Sequence, residues 1–419
     1  MLIEFSVENF RSIKEKVTLS MVASADKSKG DNLTIHEGPL KHELLNSAAI
    51  YGANASGKSN VLRALAELQS MVLTSHNLQK GMSLNHTPFA FDCESCNSPT
   101  RYSIVFLADR VMHEYCLAHD ADEIMEESLH HYPKGRRALI FSREGQDYRF
   151  SRDRSEQTPL AKRTLENVPY LSSSVQQNYS AVLPAFQWFQ DNLSSSFPSS
   201  FDRQLDMAIG KMEKSEDHKK AVLKFFGNAD INIRDIIIKS HDVQTWESGF
   251  GHHRNPYAGF EGTSGQTIYD VSLMQAWYDE SGKEYSAPLK LNEESEGTRK
   301  LLLYANLILD ALKEGKTLML DEFDTKMHPH LCEWLVELFH SPEQNPRGAQ
   351  LLFNTHDVLL LNQENFRRDQ IWFTERNAGN GSTSLYSLLE FRERKDRDIM
   401  KAYLLGRYGA IPFHQQLSD

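Results

Sequence analysis

The stretch YGANASGKSN, Tyr51 to Asn60, narrows the folding options of this chain more than any other. Gly52 and Gly57 bracket four residues, and Lys58 and Ser59 follow at once. Consecutive backbone N–H groups in such a loop point into a concavity that takes an oxyanion, and a helix starting at the lysine adds the positive end of its dipole. The arrangement requires a strand before the loop and a helix after it. Both flanks are legible. SAAIYG reads as a short buried strand, and NVLRALAELQSMV repeats Leu62, Leu65, Leu68 and Val72 at helical spacing. Gly52, Ala53, Asn54, Ala55, Ser56, Gly57, Lys58, Ser59 and Asn60 are therefore candidate nucleotide-binding residues. The glycines let the main chain approach closely, Lys58 neutralises β- and γ-phosphates, and Ser59 ligates Mg²⁺. A chance match in a turn would not have strand, motif and helix in this order.

Three later stretches complete a site around such a loop. In TLMLDEFD, four apolar residues bury a strand and deliver adjacent carboxylates to its C-terminal edge, where ligands bind in open α/β sheets. Asp321 is the candidate to hold Mg²⁺ through its water shell, and Glu322 the candidate to orient and deprotonate an attacking water. Alone, an acidic strand end is more often a helix cap or a solvated turn. In FNTHD, His356 follows another apolar strand and is placed to polarise the γ-phosphate and the water, since imidazole donates without a fixed charge. A lone histidine there would ordinarily be structural. In NEESEGTRK, Ser295 and Gly297 stand at the start of a strong helix, again an anion-binding arrangement. Its bland counterpart is a simple cap, for which Ser295 is well suited. A second phosphate-seeking helix terminus has no use for its own nucleotide and suits the site of a neighbouring copy.

Composition sets the outer limits. At 419 residues the chain is long enough for a sizeable core and more than one domain-sized unit. The balance of 46 Lys+Arg against 57 Asp+Glu, a net charge of -11, leaves nucleic-acid contact to local basic patches. KGRRALIFSRE and RERKDRD are such clusters, although solvated faces are the favoured, bland account of both. The start MLIEFSVENFRS lacks the pattern of a secretory signal, and no long apolar window occurs, so a cytoplasmic chain without a membrane span is expected. Four cysteines exclude a disulfide framework; Cys93 and Cys96 have CxxC spacing but no second ligand pair, and read as two unrelated loop thiols. His252 and His253, in the Gly- and Asn-rich stretch Glu247 to Gly265, read as a solvated loop rather than a metal site.

The pattern along the chain is strand, loop and helix, then alternating strands from about residue 100, then helices, then strands and helices in alternation. LIEFSVENF sets Ile3, Phe5 and Val7 on one face of a first strand. RYSIVFLA, VMHEYCLAH, ESLHHY, RALIFSR and DYRFS make an antiparallel lobe. Roughly residues 160 to 228 look helical, and VSLMQAWYDESGKEYSAPLKL reads as a hairpin turning at Glu280 to Lys283. No run sustains heptads long enough for a coiled-coil arm. The expected fold is α/β: a P-loop NTPase core with a mainly parallel sheet, an antiparallel β lobe and a short helical insertion. Residues 1–155 would form the N-terminal half of the core with the loop and lobe, 156–230 the helical insertion, and 231–419 the C-terminal half with Ser295, Asp321 and His356.

GANASGKSN, SEG before a helix, LMLDEFD and NTHD together resemble the ABC-type ATPases of the RecF, structural-maintenance-of-chromosomes and OLD grouping. FSVENFRSIKEKVTLSM looks like their N-terminal strand, and LSSSVQQNYSAVLPAFQWFQDNL and KAYLLGRYGAIP look like the compact AAA-type ATPases of bacterial anti-phage and abortive-infection systems. The resemblance implies ATP and Mg²⁺ as cofactors and a head-to-tail homodimer in which Ser295 and Gly297 of one copy reach the γ-phosphate on the other. It implies a further phosphate contact from Arg11. The implied function is an ATP-hydrolysing switch in phage defence that controls a separate nuclease or toxin, with DNA or a phage protein as trigger. The stretch after His356 is too short for the TOPRIM nuclease that OLD proteins carry. ESEGT departs from the LSGGQ of transporters, and Gln69, Gln79 and Gln146 are all candidates for the Q-loop glutamine. The rival reading is a RecF-like DNA-binding repair ATPase; a transporter ATPase is a third.

Overall fold

The computed structural model describes residues 1–36, 42–242, 267–362, 364–391 and 397–411. The stretch holding His252 and His253, and most of RERKDRD, lie outside them. Two compact units emerge, Met1–Pro198 with Asp310–Asp419, and Ser199–Leu309.

In the first unit the apolar runs form a six-stranded sheet. Its order is Leu193–Ser196, Thr317–Leu320, Gln350–Asn354, Ser47–Gly52, Ile371–Arg376 and Thr383–Ser387. Neighbours are parallel throughout except for the last pair. Ser47–Gly52, Thr317–Leu320 and Gln350–Asn354 are buried at every position, as strands covered on both faces must be. The mainly parallel α/β core read from the sequence is the one observed. The strand Leu193–Ser196 was not expected, since that segment read as helical. LSSS carries no strand pattern of its own; its backbone is recruited by the open edge of Thr317–Leu320, with Leu193 opposite Thr317 and Ser196 opposite Leu320.

The antiparallel lobe is a seven-stranded sheet in the order Asp147–Phe150, Ala138–Glu144, Ile124–His131, Val111–His119, Thr100–Ala108, Leu2–Glu8 and Val17–Ser20. Its inner face meets the helix Lys58–Thr74. Phe5, Val7, Ile104, Phe106 and Leu117 share one buried cluster with Leu62, Leu65 and Leu68. Ile3 does not join Phe5 and Val7 as alternation predicts. A register shift between Leu2 and Glu4 turns Leu2 into that cluster and leaves Ile3 packed with Leu44 and Leu107.

The helices Arg154–Arg163, Tyr170–Gln176 and Leu183–Gln187 close the same core with Tyr170, Trp188 and Phe189. A fully buried ion pair fastens them to the lobe: Arg143 and Glu127 stand 3.7 Å apart with no exposed side-chain surface. Glu127 accepts from the backbone N–H of Tyr170 and Leu171 and from the Tyr115 hydroxyl, while Arg143 donates to the carbonyls of Gly145, Val168, Leu165 and Glu166.

The second unit holds the helices Phe201–Lys214 and Glu216–Asn228 and a three-stranded antiparallel sheet, Ile233–Asp242, Thr267–Tyr278 and Glu284–Lys290. The last two strands are the expected hairpin, closed where Asp279 N–H donates to Lys283 and Gly282 N–H to Asp279. The helix Glu296–Glu314 begins here. No helix among the described residues is long and apolar enough to cross a membrane.

Burial holds three core histidines neutral: His113 and His119 are pulled down to about 4 and His340 to about 3. The unfolded chain protonates them near 6.5, so it binds more protons than the folded chain between the two values, and stability falls as pH drops through that window. At pH 4.5 each costs about 2–3 kcal/mol. Urea melts at pH 7.5 and 4.5 should show a large acid loss of stability in the native chain and a smaller one in His340→Gln.

Candidate nucleotide-binding site

The loop after Ser47–Gly52 is held in shape by steric limits and by its neighbours. A Cβ on Gly57, whose φ is 102°, would fall 2.2 Å from the Thr383 hydroxyl oxygen; one on Gly52 would fall 2.5 Å from the Thr374 carbonyl oxygen. Only glycine fits either place. Thr383 donates its hydroxyl to the Ser56 carbonyl and hydrogen-bonds Ser12 Oγ, which accepts from the Asn60 side chain. Ser56 Oγ pairs with the Thr374 hydroxyl. The helix begins at Lys58, so its first turn carries backbone N–H groups without an i−4 carbonyl, of which Asn60 N–H donates to Gly57.

The acidic strand lies one strand away from the loop strand, and the strand between them carries Asn354. This side chain joins both halves of the site. Its amide nitrogen donates to Asp321 Oδ1 and, at 3.3 Å, to Ser59 Oγ, while its oxygen accepts the backbone N–H of Glu322 at 2.7 Å. Glu322 sits in left-handed backbone, φ 52°, a conformation that costs a non-glycine residue about 1 kcal/mol or more. The turn exposes its carboxylate while Asp321 stays buried.

Lys58 Nζ donates to the Gly52 and Ala53 carbonyls of its own loop, at 2.8 and 3.1 Å. Burial draws its ammonium down to about 8, against the pull of Asp324, Asp321 and Glu322. His356 is lowered as well, by burial and then by the Lys58 charge, which keeps the ring neutral at ordinary pH. Its backbone N–H donates to Asp324.

Asn54 to Asn60, Ser12, Glu322, Asn354, His356 and Arg376 line one cleft of about 450 Å³. Loop, acidic strand and histidine strand thus meet in one place. A divalent cation fits there. Asp321 Oδ2 is buried without a hydrogen bond, facing the Arg63 guanidinium at 3.5 Å, and Asn354 ties Asp321 to Ser59. Ser59 and Asp321 would hold Mg²⁺, a cation that takes few protein ligands and keeps water and phosphate oxygens for the rest. Gly52 and Ala53 lie behind the cleft and contribute the carbonyls that receive Lys58.

The other candidates lie elsewhere. Arg11 is exposed over the Phe10 ring and does not line the cleft, whereas its neighbour Ser12 does. Ser295, in the second unit, is exposed and caps its helix, with Oγ accepting the Thr298 N–H at 3.0 Å. Gln69 is committed to the carbonyls of Phe189 and Leu193, Gln146 is exposed, and none of the three candidate glutamines lines the cleft. Sequence reasoning passed over Ser12, Asn354, Thr374, Arg376 and Thr383. Asn354 and Asp324 stand within the motifs already singled out, FNTHD and LDEFD; the others carry no local signal.

A family model described as "AAA domain, putative AbiEii toxin, Type IV TA system" matches residues 47–362. No curated protein matches the chain significantly. Among solved structures, the SMC head domain from Thermotoga maritima is 13% identical with a TM-score of 0.39, over 92% of this chain and 98% of that one. The SmcHead bound to the C-winged helix domain of ScpA gives 14% and 0.41, over 92% and 97%. CbiO1 from Clostridium perfringens, part of the ABC transporter complex cbiONQ, gives 11% and 0.32, over 93% and 90%. Likeness this slight bears on neither function nor detail.

Asn354→Leu removes the amide that bridges Ser59, Asp321 and the Glu322 backbone, leaving the Glu322 N–H and Asp321 Oδ1 without that partner. Urea unfolding should show a loss of about 1–3 kcal/mol; an unchanged midpoint would mean the amide is dispensable.

Proposed function

The chain belongs to the AAA-domain family whose model spans its loop, its acidic strand and His356, and from that premise we propose that it is an ATP-hydrolysing molecular switch. The observation that carries this reading is the single cleft in which Lys58, Ser59, Glu322, Asn354 and His356 meet. In it the loop N–H groups and Lys58 hold the phosphates, and Ser59, with Asp321 behind it, would hold Mg²⁺. Bound there, Mg²⁺ would neutralise charge developing on the phosphate oxygens. Glu322, exposed on its strained turn, orients a water and takes its proton, while neutral His356 donates toward the terminal phosphate.

Hydrolysis acts on partners through a dimer. Ser295 and Gly297 of one copy approach the terminal phosphate bound by the other, so that ATP joins two copies and its cleavage lets them part. The exposed cap at Ser295 supports this, since its hydroxyl is accessible to a second chain. The family description names a toxin and a toxin–antitoxin system; we read this chain as the ATPase of such a defence system, acting in the cytoplasm on a separate nuclease or toxin.

The RecF-like alternative leans on basic clusters, and in one of them two of the four cations are already engaged: Arg137 pairs with Glu114, and Arg143 is buried against Glu127. Binding to plain duplex DNA with a steep salt dependence would favour that alternative.

Glu322→Gln should bind ATP, hydrolyse it at least a hundredfold more slowly, and shift the chain toward a dimer in size-exclusion chromatography. Normal turnover would remove Glu322 from its role. Ser295→Arg should abolish hydrolysis while ATP still binds each monomer. A monomer that turns over at the dimer's rate would end the shared-site reading.

A further inference from the structure

Arg376 is an unspent cation at the mouth of the cleft. It ends the strand Ile371–Arg376, is exposed, and lines the cleft, yet among the described residues its guanidinium makes no hydrogen bond or ion pair. It is nevertheless held: its Cζ lies 5.6 Å from the centroid of the Phe91 ring. Phe91 is 66% exposed, a large apolar side chain left in solvent to back an arginine. The loop carrying it is firm. Phe91 meets the buried Phe89 edge to face at 5.6 Å, Phe89 N–H donates to Asn9 Oδ1, and the Asn9 amide donates to the Ser95 and Ser98 carbonyls.

The position along the cleft says what this pair meets. Lys58, Glu322 and His356 gather where a terminal phosphate belongs. Ser12 and Thr383 brace the other side of the loop, at Gly57 and Asn60, and Thr383 is the backbone partner of Arg376 across the strand pair. A triphosphate lying along the loop therefore sends its nucleoside out past Ser12 toward Arg376. A planar guanidinium fixed on one side by an aromatic ring offers its other side as a stacking surface, with a cation–π component.

We propose that Arg376, backed by Phe91, is the base-stacking platform of this site, taking the face of a purine. The inference rests on the nucleotide reading above and deepens it. Arg376 touches the base; Phe91 is a positioning residue that holds the guanidinium over its ring. Recognition by a ring face favours the two fused rings of a purine over a pyrimidine. Arg376 lies outside the matched family segment, residues 47–362.

Binding measured by calorimetry with Mg²⁺ tests this on the full chain, with ATP, CTP and inorganic tripolyphosphate as probes. Both side chains are exposed, so the variants should fold, and melting curves check that they do. Arg376→Ala, Arg376→Lys and Phe91→Ala should each weaken ATP binding about tenfold, the size of one lost base stack. All three should leave tripolyphosphate binding unchanged, and the native chain should bind ATP more tightly than CTP. Arg376→Lys keeps the charge and loses the plane, so ATP affinity at the native level in that variant would overturn the platform. Equal losses of ATP and tripolyphosphate would also overturn it, making Arg376 a phosphate contact. A native chain that binds neither probe would instead sink the nucleotide reading itself.

Discussion

One carboxamide holds the candidate site together. Asn354 stands on the strand between the loop strand and the acidic strand and reaches Ser59 on one side, Asp321 and the Glu322 backbone on the other. Charge alone would not give this order. Asp321 and Lys58 attract each other in a low-dielectric setting and would collapse into a direct pair, leaving no room for a cation. The neutral amide keeps the carboxylate buried and hydrogen-bonded on one oxygen while the other, without a hydrogen bond, faces the Arg63 guanidinium. The spacing of both halves of the cleft follows from that side chain and from the parallel pairing that places it.

Lys58 shows the same economy. With its ammonium on the Gly52 and Ala53 carbonyls, it satisfies the loop that it will later leave for a phosphate. The loop thus keeps its concave shape without a ligand, braced by Thr374 and Thr383. Binding then costs little reordering of the main chain, and most of the interaction with phosphate is available for affinity.

Much of this was legible in the sequence because it is local. The glycine spacing, the run of apolar residues ending in carboxylates, and the helical repeat behind Lys58 each lie within about a dozen residues, and each dictates one element and its end. What escaped is the part made by distant segments. Ser12, Thr374 and Thr383 are ordinary residues whose roles exist only because two strands late in the chain and a turn near its start converge on one loop. Asn354 was in view within FNTHD, but its role depends on which strand lies on either side. The strand Leu193–Ser196 was misread for a related reason, since an edge waiting to be paired overrode a neutral local sequence. Ile3 was misassigned because a single bulge defeats strict alternation.

The clamp between Glu127 and Arg143 carries a different kind of consequence. Both charges are sealed from water, and their hydrogen bonds reach the two backbone segments that seat the helices on the lobe. Either one left alone would be an ion buried without its counterpart, and replacing both by apolar residues would strand the backbone N–H and carbonyl groups they bond, so single and joint replacements are both disfavoured. Mutational drift here is therefore closed off from both directions, and in natural variants of this chain the two sites should be retained together.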